Sequence, residues 1–232
     1  MEKKRSKFFY GILASFRTRD HRAMLLLRDL LCVGAIVGGI ALALFLICGT
    51  WPAVVAIESK SMDPHMQIGD LVLVVQKDRF GTFRTWQAGS ATDYTKFGEY
   101  GDVIIYKPNG MTNITPIIHR AIQHVETGPV TGVKGKRLFK NYTAIHPGYI
   151  TWGDNNQFPD QFYNFPRIGI PEPVKDEWII GKALFTIPLI GYLPLNIWLV
   201  VIVVIIAMFL HEIYIRLKER ENGKIKNLMK KK

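Results

Sequence analysis

A mainly β domain held between two membrane-spanning helices is the architecture this sequence predicts, and three observations carry it. Two long uncharged apolar runs flank the middle of the chain, and most of the excess positive charge lies outside them. The middle holds short β-branched runs separated by Gly, Pro and Asn clusters. With 232 residues, 48% of them hydrophobic and 21% charged, the chain is neither disordered nor of low complexity. Its only cysteines, Cys32 and Cys48, fall inside the first apolar run. That excludes a disulfide-stapled scaffold and a multi-cysteine zinc site.

Where the charge sits decides between nucleic acid and membrane. The net charge is +11, but residues 1–29 contribute +5, residues 211–232 another +5, and the 181 residues between them only +1. A nucleic-acid reader concentrates Lys and Arg on a folded face, so no nucleic-acid partner is expected. Lysine and arginine on both outer flanks place both termini in the cytoplasm by the positive-inside rule.

The elements follow in order. Residues 1–29 form a basic cytoplasmic segment. Residues 30–51 (LLCVGAIVGGIALALFLICGTW) form the first span, long enough to cross a hydrocarbon core of about 30 Å as a helix. The run is too long, and its charged leader too extended, for a cleaved signal peptide. Residues 55–190 form the external domain, of a size that buries its own core. Within it LVLVV (71–75), DVIIY (102–106), IIHRAI (117–122) and WIIGKALF (178–185) read as strands, and 78–101 as an inserted lobe or long loop. Pro188, Gly191 and Pro194 break the start of the second apolar run, so the second span is expected at 195–213. Residues 214–232 make a basic cytoplasmic tail.

Residues able to do chemistry cluster at three places in the external domain. They are Ser61-Met62-Asp63-Pro64 closely followed by Gly69-Asp70, Gly101-Asp102-Val103-Ile104-Ile105-Tyr106 with His119-Arg120-Ala121-Ile122 farther on, and Gly153-Asp154-Asn155-Asn156 with Asp160 beyond it. A serine, a histidine and an acid on separate β elements fit a nucleophile, a general base and an orienting carboxylate. Each alone is most often structural, and GDNN alone is most often a turn. Histidines 65, 119, 124 and 146 lack the close spacing of a zinc site, so no metal and no cofactor is expected.

In combination, SMDPHMQIGDLVLV, GDVIIYKP, IIHRAI and WGDNNQFPD, in that order behind a membrane helix, resemble the type I signal peptidases. The likeness is to the archaeal and endoplasmic-reticulum branch. In the bacterial branch a lysine base stands where this chain has His119. The segment IPEPVKDEWIIGKALF is similar to the family's closing strand, so the resemblance spans roughly residues 55–190. It implies a mostly antiparallel β peptidase domain standing on the membrane surface. Ser61 would be the nucleophile, His119 its base, and Asp160 the carboxylate that orients the imidazole. Asp154 would support the site, and the Ser61 N–H would donate to the oxyanion. Pro64 would fix the turn that presents Ser61, with Met62 facing the bilayer or the substrate. His65 stands where the family has a small or branched residue, so its role is open. Lys60 is disfavoured as a base because strand neighbours face opposite ways, and Lys107 is a remote alternative.

What the resemblance implies is a membrane-bound serine endopeptidase that removes N-terminal signal peptides from secretory precursors after small residues. Ser61 lies only ten residues beyond the first span, near the membrane surface where such a cleavage site emerges. The partners expected are secretory precursors and the lipid bilayer, with the protein translocation channel a candidate neighbour. Two other readings stay open: a narrow-range surface-protein or pilin peptidase, and a non-catalytic anchor subunit of a translocation complex. The sequons at Asn113 and Asn141 are compatible with glycosylation, although Pro116 makes the first a poor acceptor.

Overall fold

The computed structural model describes residues 28, 31–130, 133–134, 137–138, 142–199, 201–203, 205–207, 209–210, 213–214 and 218. Nearly all of the basic segment 1–29, most of the 214–232 tail and Asn141 of the second sequon lie outside the described residues.

Helix α1 (Leu31–Cys48) is long and apolar enough to cross a membrane. Its side chains are largely uncovered, and only its last turn packs on the domain, where Leu44 and Cys48 meet Ala53, Leu73, Val75 and Leu184. Beyond it come β1 (Val54–Ala56), β2 (Leu71–Val75), α2 (Trp86–Thr92), β3 (Thr95–Lys96), β4 (Glu99–Tyr100), β5 (Val103–Tyr106) and β6 (Ile117–Val125). The short strands β7 (Gly128–Val130), β8 (Val133–Lys134), β9 (Arg137–Leu138) and β10 (Tyr142–Ala144) follow, then β11 (Gly148–Trp152) and β12 (Ile179–Ile187).

Six strands form one antiparallel sheet in the order β1-β2-β12-β5-β6-β11. The apolar runs explain which strands lie inside it. All four residues of β5 are buried because the sheet is covered on both faces. Val103 and Ile105 join one core with Ile57, Met62, Met66, Val72, Val74 and Ala183. Ile104 and Tyr106 join another with Ala121 and Val174. A strand buried on both faces has no reason to alternate, hence the unbroken VIIY.

The segment 78–101 is a small folded lobe. Thr85 caps α2 by accepting from Ala88 N at 3.3 Å, Asp93 ends it with φ 52°, and β3 and β4 form a hairpin. After β12 come α3 (Tyr192–Leu195) and an apolar helix, α4 (Ile197–Ala207). Of the second span expected at 195–213, the described residues give this shorter helix and further helical residues at 209, 210 and 213; positions 200, 204, 208, 211 and 212 lie outside them.

Candidate active site

His119 is the third residue of β6, opposite Ile104 of β5, and is 3% exposed. Its Nδ1 donates to Asp160 Oδ2 at 2.7 Å. Because the acceptor is a carboxylate, the neutral ring carries its proton on Nδ1 and leaves the Nε2 lone pair free to act as a base. Asp160 begins a 3₁₀ turn (Asp160–Phe162) and is 1% exposed. The same Oδ2 accepts from the Tyr106 hydroxyl at 2.8 Å and from Thr151 Oγ1 at 2.6 Å, while Oδ1 is buried with no hydrogen-bond partner among the described residues. A register shift between Ile150 and Thr151 in β11 sets Thr151 at this point, and Gln161 Oε1 accepts from its backbone N–H at 3.2 Å. Burial first, and the Asp160 charge second, push the Tyr106 phenol well above the ordinary tyrosine range. Tyr106 therefore stays a donor.

Ser61 opens a turn rather than lying on a strand, and Asp160 is on a 3₁₀ turn, so of the three residues only His119 stands on a β element. The strand argument against Lys60 thus falls, but neither Lys60 nor Lys107 lines the cleft that holds Ser61 and His119. Met62, expected to face bilayer or substrate, is fully buried in the core, where its side chain anchors the turn from below.

The 153–156 turn holds the Ser61 segment. Asn155 N donates to Ser61 O at 2.9 Å, and Asn155 Nδ2 to Lys60 O at 3.0 Å. Gly153 lies between Ser61 and His119: a Cβ added there would stand 2.7 Å from Ser61 O and 2.8 Å from His119 Nε2. The Ser61 hydroxyl is hydrogen-bonded to Ser59 Oγ at 3.1 Å and makes no such bond to His119. Hydrogen bonds of this kind commonly tighten only when substrate is bound.

Asp154 does a different job. Its carboxylate takes a two-pronged contact from Arg120, Nε to Oδ1 at 2.9 Å and Nη2 to Oδ2 at 2.6 Å. The Arg120 guanidinium is fully buried, and its Nη1 reaches the carbonyls of Lys96 and Gly101 at 2.9 and 2.8 Å, which ties the lobe to β6.

Ser61 and His119 open onto a cleft of about 1180 Å³. Val54, Ile57, Ile118, Phe158, Phe162 and Pro166 give the cleft an apolar lining. β1, the edge strand of the sheet, runs along the cleft six residues beyond the end of α1. Sequence reasoning gave no role to Tyr106, Thr151, Arg120 or Ser59. Signals were available for Arg120, as a lone charge in the apolar run IIHRAI, and for Tyr106, which closes the motif Gly101–Tyr106.

A scan against models of known protein families finds no match to the chain, and a comparison with curated proteins finds none either.

Proposed function

We propose that the chain is a membrane-anchored serine endopeptidase of the signal-peptidase type, removing N-terminal signal peptides from secretory precursors after small residues. The observation that carries this reading is the His119–Asp160 pair opening, through Nε2, onto the cleft that also holds Ser61. Ser61 Oγ turns from Ser59 to His119, gives its proton to Nε2 and attacks the scissile carbonyl. Asp160 keeps the ring oriented and balances the imidazolium that forms. Among the described residues the Ser61 N–H makes no hydrogen bond, so it would donate to the oxyanion. The imidazolium then protonates the leaving amine, and water, deprotonated by His119, releases the acyl group.

The substrate binds extended along the outer edge of β1, adding a strand to the sheet. The apolar walls suit small apolar side chains near the cut. A cleft this close to the end of α1 meets a cleavage site just after it leaves the bilayer. We further propose a multi-pass arrangement, with the basic tails cytoplasmic, the domain external and 195–213 as second span.

Full-length protein in liposomes, incubated with a panel of unrelated secretory precursors, tests this. Several precursors should be cut after small residues, and Ser61→Ala should abolish cleavage. Cleavage of a single surface-protein class would favour the narrow-range peptidase, and no cleavage at all the non-catalytic anchor.

A further inference from the structure

We propose that His65 is a positioning residue for the Ser61 turn, acting through Asp154; this rests on the peptidase reading above. The turn that starts at Ser61 closes at His65, whose backbone N–H donates to Met62 O at 2.9 Å. At its first end the turn is clipped to residues 153–156 by the two Asn155 contacts to Lys60 O and Ser61 O. At its other end His65 Nδ1 lies 2.9 Å from Asp154 Oδ2. The acceptor is a carboxylate, so Nδ1 donates, and it does so whether or not Nε2 also carries a proton. The nucleophile's turn is thus fastened at both ends to one other turn.

That second fastening continues to the base. Asp154, with a side chain 3% exposed, is gripped by Arg120, the residue next to His119 on β6. His65, Asp154 and Arg120 form a continuous chain from the turn bearing Ser61 to the strand bearing His119. The ring also rests on the β3–β4 turn, where a Cβ on Gly98 would come within 2.8 Å of His65 Cδ2. A small or branched apolar residue at 65 has no side-chain donor for Asp154 and would leave this end of the turn unfastened.

The experiment pairs two variants with two readouts on the full chain in detergent micelles. Asn places its Nδ2 where His has Nδ1, so His65→Asn keeps the donor while His65→Ala removes it. Amide hydrogen exchange of peptides covering 60–66 and 153–157 should rise at least tenfold in His65→Ala, with β2 and β12 unchanged, and should return to near wild type in His65→Asn. On a signal-peptide substrate, kcat should fall at least tenfold in His65→Ala with KM within about twofold, and His65→Asn should recover most of it. Wild-type exchange in His65→Ala, or a His65→Asn protein no better than His65→Ala, would overturn the proposal. If exchange behaves as described but the wild-type chain cuts no precursor, the fastening stands and the peptidase reading fails.

Discussion

Gly153→Ala is a one-carbon probe of the site. The new Cβ would lie 2.7 Å from Ser61 O, 2.7 Å from Asn156 Nδ2 and 2.8 Å from His119 Nε2. Ordinary van der Waals contact needs 3.4 Å or more, so each neighbour must give by about 0.6–0.7 Å. The Asn156 amide is a flexible end and can move. The other two cannot move cheaply, since Ser61 O is held by Asn155 N at 2.9 Å and the imidazole by Asp160 at 2.7 Å. The strain therefore pushes Ser61 and His119 apart. A misplacement on the order of 1 Å costs about 10² in rate, and over-packing of this kind costs about 1–3 kcal/mol of stability. Gly153 does not adopt a left-handed φ, so alanine meets no backbone penalty. The expectation is a folded protein whose kcat is down about 10²-fold, with a melting temperature lowered by several degrees. Steady-state cleavage of a signal-peptide substrate and thermal melting in micelles measure the two. Wild-type turnover in a folded Gly153→Ala protein would refute the reasoning.

The two aspartates should separate by assay. Asp160→Asn should lower kcat about 10⁴-fold, as the equivalent change does in the serine-protease triad, with melting within a few degrees of wild type. Asp154→Asn strips the buried Arg120 guanidinium of its counter-charge and should cost about 3–5 kcal/mol in stability, while residual cleavage stays measurable. A dead but stable Asp154→Asn protein beside an active Asp160→Asn protein would exchange their roles. Alkaline pH gives a further test. Tyr94 is pushed up to about 12 by burial and the Asp102 charge, and Tyr142 to about 12 by burial and the Glu172 charge. From the usual tyrosine range near pH 10 up to about 12 the unfolded chain has lost protons that the native chain keeps. Stability should be unaffected below that window and fall through it; denaturation midpoints across pH 9–12 should show a shallower fall in Tyr94→Phe. Protease added from the cytoplasmic side should reach both basic tails and spare residues 58–182. A C-terminal tail found outside would overturn the two-span arrangement.

The long strands of the sheet were readable because burial on one or both faces writes itself as unbroken β-branched sequence. LVLVV matches β2 residue for residue, and DVIIY, IIHRAI and WIIGKALF overlie β5, β6 and β12. Strands of two or three residues such as β3, β4 and β7 carry too few side chains to show a period. The 78–101 lobe packs Phe83, Trp86 and Phe97 against the main cores and also offers carbonyls to a single buried arginine, a device that leaves no mark on hydropathy. At the site, Ser61, His119, Asp154 and Asp160 were picked out together by residue type and order. Their supports were not. Tyr106 and Thr151 are ordinary strand-forming residues by composition, and their contacts to Asp160 cross 54 and 9 positions. The His65–Asp154 contact spans 89 positions. Such pairings are made by register and turn geometry, neither of which one sequence displays.

The grip of Arg120 on the lobe carries a consequence for how freely this chain tolerates change in length. A surface insertion is normally a module that can be trimmed or exchanged without the rest of the protein noticing. Here, shortening 78–101 would empty the carbonyl socket of a guanidinium that has no exposure to water. The orphaned donors would sit one residue from His119, on the strand that aims it. Chimeras that swap this lobe should succeed only when the donor sequence brings its own ring of carbonyls to the same place. Length changes confined to 111–114, between the Asn109 contacts to Ile168, Ile170 and Glu172 and the cleft-lining Thr115, should be absorbed far more readily.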